Sequence, residues 1–122
     1  MKITLATLPQ ATEQQVFDQV AKHLLTQNEK SMHPKSKLCL YRTSGGLKCA
    51  AGALISDEEY SPLMEMGSWR TLIRRHGVSK HCAALISDLQ YLHDGYTVSE
   101  WRDGLRRLAR QYNLNEDVCN EA

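Results

Sequence analysis

Three of the Ser/Thr-x-x-Glu/Gln segments of this chain read as capping boxes, and the residues after each of them limit how the chain can fold. In such a capping box the hydroxyl accepts a backbone N–H three residues on, while the acid or amide side chain reaches back to the first residue's N–H. Two donors that a helix start leaves orphaned are thereby satisfied together. After Thr12-Glu13-Gln14-Gln15 come Val16, Phe17, Val20, Ala21, Leu24 and Leu25, one helical stripe ending near Asn28, with Glu13, Asp18, Lys22 and Gln27 on the other face. Thr97-Val98-Ser99-Glu100 is followed by Trp101, Leu105, Leu108 and Tyr112 at the same spacing. Behind Ser56-Asp57-Glu58-Glu59, Pro62 arrives so soon that only a short turn of helix fits.

Two more stripes complete the pattern. Trp69, Leu72, Ile73 and His76 predict a short helix stopped by Gly77; Cys82, Leu85, Ile86, Leu89 and Leu92, capped by Ser79, predict one ending at Asp94-Gly95. The last two helices, with only a short connection, should form an antiparallel hairpin. Composition agrees: the chain has 16 Leu, and straight-chain Leu keeps rotamer freedom in a helix that β-branched residues lose.

One region reads as β. Leu38-Cys39-Leu40-Tyr41-Arg42 and Leu47-Lys48-Cys49-Ala50 flank Thr43-Ser44-Gly45-Gly46, and paired glycines supply the positive φ of a tight reversal. Residues 1–9 alternate Ile3 and Leu5 with Thr4 and Ala6, the pattern of an edge strand or extended arm. The expected fold is therefore α+β, mostly helical: a small β-hairpin, three-stranded if the N-terminal arm joins it, packed on four to five helices. Residues 1–114 read as a single globular domain and 115–122, with Glu116, Asp117 and Glu121, as a flexible acidic tail.

With 122 residues and 42% hydrophobic content, the chain suits one ordinary domain and not a disordered one. No apolar run approaches the roughly 18 residues that cross a bilayer, so no membrane partner is expected. The start lacks the apolar core of a secretory signal, which points to the cytoplasm and to reduced thiols at Cys39, Cys49, Cys82 and Cys119. Those thiols read mainly as small buried hydrophobes, although spacing leaves a bridge between Cys39 and Cys49 open.

The sharpest catalytic candidate is a Cys49 nucleophile, following a Gly-containing turn, with His81 or His93 as base and Asp94 as orienter. No local cysteine-enzyme signature surrounds it. Metal-ligand spacings of the C-x2-C, H-x3-H and H-E-x-x-H kinds are missing, and Gly45-Gly46 lacks the context of a phosphate loop, so neither metal nor cofactor is expected. Charge is the stronger signal. The net charge is +1, yet Lys22, Lys30, Lys35, Lys37, Arg42 and Lys48 face a single acid, Glu29, in their segment, and no acid separates Arg70, Arg74, Arg75 and Lys80. Converging, such residues would attract an acidic protein face or a phosphate backbone. The pI of 7.7 lies below the value above about 9 expected of a nucleic-acid footprint.

Thr12 to Phe17, Gly46 to Ile55 with Glu59-Tyr60, and Leu89-Gln90-Tyr91-Leu92-His93-Asp94 give the chain, over roughly residues 12–112, a pattern that resembles small hypothetical proteins carried by bacteriophages and prophages. The resemblance implies a phage accessory protein in the cytoplasm of a bacterial host cell, and it carries over no catalytic residue. The expected function is non-catalytic binding of a host protein, with inhibition of a host defence or metabolic system as its use. Lys35, Lys37, Arg42, Lys48, Arg70, Arg74 and Arg75 would meet an acidic surface of that partner. The alternatives are a nucleic-acid-binding module on the same residues and a small cysteine-dependent hydrolase or transferase centred on Cys49.

Overall fold

Helix α1 (Glu13–Gln27) begins where the sequence places it: Thr12 Oγ1 accepts from Gln15 N–H at 3.1 Å while Gln15 Oε1 accepts from Thr12 N–H at 2.9 Å. Asn28, left-handed at φ 54, ends it. This computed structural model describes residues 2–121; Met1 of the expected arm and Ala122 of the expected tail lie outside them. The other helices are α2 (Trp69–His76), α3 (Ala83–Gly95) and α4 (Trp101–Gln111). Ser68 caps α2 and Gly77 stops it at φ 67. Helix α3 starts later than Ser79 suggests, because Ser79 Oγ accepts from His81 N–H and Cys82, at φ 60, turns the chain into the helix.

The buried stripe of α1 (Val16, Phe17, Val20, Ala21, Leu24) packs against Leu85, Ile86, Leu89 and Leu92 of α3 and Trp101, Leu105 and Ala109 of α4 in one core. The small-residue run around the 3-10 turn Ala51–Leu54 is wedged between α1 and α3. Close approach sets its composition: a Cβ on Gly52 would stand 2.0 Å from the Tyr41 carbonyl oxygen.

The expected β-hairpin is not there, and the chain is helical instead of α+β. Among the described residues no strand forms; only isolated bridges join Met32 with Cys39 and Arg42 with Lys48. The reversal itself exists, with Thr43 N–H donating to Leu47 O at 2.9 Å and Gly46 at φ 95. Cys49 N–H also donates to Tyr41 O at 3.3 Å, but the pairing ends there, because Thr43 Oγ1 takes the Leu47 N–H at 3.0 Å and Glu65 takes that of Tyr41. The outward-facing groups of Arg42 and Lys48 are held by side chains instead of a further strand. The Glu65 carboxylate accepts from Tyr41 N–H (2.9 Å) and Arg42 N–H (3.3 Å). Gln27 accepts from Lys48 N–H at 3.0 Å and donates to Lys48 O at 2.9 Å.

The N-terminal arm adds no third strand for the same reason. Gln19 accepts from Ile3 N–H at 2.7 Å and donates to Ile3 O at 2.9 Å, and the Glu59 carboxylate accepts from Leu5 and Ala6 N–H, both at 2.9 Å. A side-chain amide offers the same donor and acceptor as a peptide group, so a residue held this way needs no neighbouring strand. The segment expected as a flexible tail is packed: Asp117–Asn120 forms a 3-10 turn with Val118 and Cys119 in the core, and Arg110 grips Glu116 through two bonds of 2.9 Å.

Candidate functional site: an apolar-rimmed cleft

Four large hydrophobic side chains stand exposed among the described residues: Leu38 (56%), Leu63 (83%), Met66 (91%) and Tyr91 (68%). Two of them, Met66 and Tyr91, meet at one place. Met66 and Tyr91 line a cleft of about 390 Å3 between the 39–41 segment, the loop before α2 and the outer face of α3; Leu38 directly precedes its lining residue Cys39, and Leu63 lies two residues before Glu65. Tyr41, Cys49 and Trp69 are the buried residues of its lining. Met66 sits at φ 71, a left-handed conformation uncommon for a residue with a side chain. Its neighbours hold it there. Tyr60 Oη donates to Glu65 at 2.6 Å, Tyr41 and Arg42 N–H bind the same carboxylate, and Tyr41 Oη donates to Gly67 O at 2.5 Å.

At one end of the cleft lies a polar cluster of Cys39, His93 and Asp94. His93 is fully buried and stacked on Trp101, with ring centroids 5.5 Å apart. Ser31 N–H donates to its Nε2 at 3.0 Å, which fixes the proton on Nδ1, and Nδ1–H donates to Asp94 Oδ1 at 2.7 Å. Gln90 Nε2 also donates to Asp94 Oδ1, at 2.8 Å. Burial pushes the Asp94 carboxyl up, but the bonds from His93 and Cys39 outweigh it and hold it below the ordinary carboxylate value. Burial, followed by the hydrogen bond to Asp94 and then that carboxylate's charge, pushes the Cys39 thiol up to about 11.

That arrangement limits the chemistry. The three ligand-type atoms lie within 4.8 Å of one another. For His93 to turn a lone pair to a metal beside Cys39 and Asp94, Nε2 would have to carry the proton and face the Ser31 N–H, donor against donor, so the trio does not suit an ion. Nor is Cys39 activated, since the imidazole in reach presents an N–H to the carboxylate and the thiol is protonated at neutral pH.

Cys49, the nucleophile expected from sequence, is 1% exposed. Its sulfur accepts from Gly52 N–H at 3.3 Å, and burial pushes its thiol far above the usual range. The His93–Asp94 pair of that reading does form, but the thiol hydrogen-bonded to the carboxylate belongs to Cys39. His81 is elsewhere, with Nε2 2.5 Å from Ala11 O.

The basic residues are dispersed. Arg42 is a clamp inside the fold, bonded to Asp57 (2.7 Å) and Ile55 O (3.0 Å) and stacked over Tyr60 at 4.5 Å. Lys48 lines a separate basin with Lys2 and Lys22. Lys35 and Lys37 are exposed on the turn before Leu38, and Arg70, Arg74 and Arg75 are exposed on α2. Sequence reading missed Cys39, Met66 and Tyr91 as site residues. Two of them carried a signal: Tyr91 falls off the apolar stripe of α3, and Met66 abuts a glycine in a segment broken by Pro62. No protein-family model, no curated protein and no solved structure matches this chain.

Proposed function

We propose that this chain is a non-catalytic binding module of the phage-accessory kind, which seats an apolar side chain of a bacterial host protein in the Met66–Tyr91 cleft. One observation carries the reading: Met66 and Tyr91, two of the four exposed large hydrophobics, line a single concavity. Lone surface apolar groups are normal, whereas two large ones lining the same hollow suit a docking surface. Lys35, Lys37 and Arg70 lie on the chain segments that enter and leave the cleft, with Arg74 and Arg75 farther along α2. These exposed cations do not line the cleft, and an acidic stretch of the partner beyond the seated side chain would be what meets them. Occlusion of a host defence or metabolic factor is the use such a module would have.

The test is capture from bacterial lysate by the intact protein, compared with Met66→Glu/Tyr91→Glu and with Arg74→Glu/Arg75→Glu. The reading expects a discrete host protein held by the wild type, lost with the first variant and weakened in a salt-dependent way by the second. Capture that survives the first variant, or no capture at all, overturns it.

A further inference from the structure

Away from the cleft, and sharing no lining residue with it, an open basin of about 530 Å3 lies between α1 and the Gly45–Lys48 reversal. Lys2, Lys22, His23 and Lys48 contribute to its lining, and no carboxylate does. Among the described residues none of the three lysines has an ion-pair partner. Acids stand on the other sides of these lysines: Asp18, Asp117 and Glu121 share a neighbouring hollow with Lys2 and Lys22, and Asp57 and Glu58 share one with Lys2 and Lys48, Asp57 being paired with Arg42 at 2.7 Å. The cations crowd one another. Burial lowers the Lys48 pKa, and the charges of Arg42 and Lys2 lower it further. Burial likewise lowers that of His23, with Lys48 and Lys2 adding to the effect against a bond to Lys48 O. Like charges gathered in a concavity whose own lining holds no carboxylate raise the local potential for an anion.

The basin is also built to hold a position. Lys48 has a fixed root, because Gln27 clamps its peptide groups and His23 Nε2 donates to its carbonyl at 2.9 Å. Gly45 and Gly46 form part of the wall without side chains, leaving room for a bulky head group. We propose that this basin binds the phosphoryl groups of a small phosphorylated molecule, with Lys2, Lys22 and Lys48 as the cationic contacts. Its size falls within the roughly 300 to 1,000 Å3 typical of small-ligand sites. A nucleic-acid strand needs cations that continue along a track, but Lys35, Lys37, Arg70, Arg74 and Arg75 are all absent from the lining.

The experiment is an amide-shift NMR titration of the full chain at physiological salt with pyrophosphate, ATP, adenosine and a single-stranded DNA oligonucleotide. The proposal expects saturable shifts at Lys22, His23 and Gly45 to Lys48 with pyrophosphate and ATP and none with adenosine. Lys22→Gln and Lys48→Gln should each weaken pyrophosphate by about tenfold, Lys22→Arg should keep it, and Arg74→Gln should change nothing. The amide spectrum of each variant reports directly that it is folded. Absence of saturable shifts with pyrophosphate, or equal affinity in the Lys22→Gln/Lys48→Gln double variant, overturns the proposal. So does an oligonucleotide that binds more tightly than ATP and shifts residues 35–37 and α2, since that assigns the cations to nucleic acid.

Discussion

His93 has both ring nitrogens committed, one accepting from Ser31 and one donating to Asp94, so a single side chain ties the loop after α1 to the end of α3. The adjacency of His93 and Asp94 is legible in the sequence. Their contact is less so, because neighbours in a helix point apart, and the Ser31 partner lies 62 positions away. Asp94 gives this cluster a pH signature. Its carboxyl titrates lower in the fold than an ordinary aspartate, so the stabilisation it adds is complete above the unfolded-chain pKa and fades as the pH falls through the folded-state pKa. In Asp94→Asn the amide oxygen still accepts from His93 while the charge is gone. Urea midpoints of the two proteins should therefore differ most near neutrality and converge in acid; parallel curves would remove Asp94 from the account.

Between residue and fold, the recurring device is a glutamine of α1 standing in for a peptide group. Gln14 accepts from Asn115 N–H at 2.8 Å and donates to its carbonyl at 3.0 Å; Gln19 does the same to Ile3, and Gln27 to Lys48. Helices α1, α2 and α4 and the Gly45–Gly46 reversal were readable, because apolar spacing, caps and turn glycines act within a few residues. The missing hairpin was not, since alternation and a turn say nothing of which distant side chain will take the backbone groups. On an amphipathic wheel Gln27 is only a polar residue facing water. Its replacement tests the difference: Gln27→Met keeps length and helix propensity but leaves the half-buried Lys48 N–H without its acceptor, a loss of about 1 to 3 kcal/mol. A solvated Gln27 would cost under about 0.5 kcal/mol, so urea unfolding separates the two, and exchange of the Lys48 amide should quicken in the variant.

At the scale of the whole molecule, the helices form the frame and residues 28–67 form an irregular layer whose position depends on one close approach. Glu65 and Tyr41 tie the cleft loop to the 41–42 segment, and that segment rests on Gly52. Two glycines with tight surroundings should then respond differently to the same added methyl group. In Gly104→Ala the Cβ meets Leu92 Cδ1 at 2.9 Å and the Tyr96 ring at 3.3 Å, both side-chain atoms, and a helix gains up to about 1 kcal/mol when Gly becomes Ala. The net change should stay within about 1 kcal/mol. In Gly52→Ala the Cβ falls 2.0 Å from a backbone oxygen, where no rotamer relieves it. The 41–42 segment has to move, at about 3 kcal/mol or more, the upper end of overpacking costs. Because that segment carries two of the bonds to Glu65, amide shifts in Gly52→Ala should spread to Glu65, Met66 and Gly67, while those in Gly104→Ala stay near α3 and α4. Equal destabilisation by the two changes, or an undisturbed 65–67 loop in Gly52→Ala, would show that the cleft does not depend on this contact.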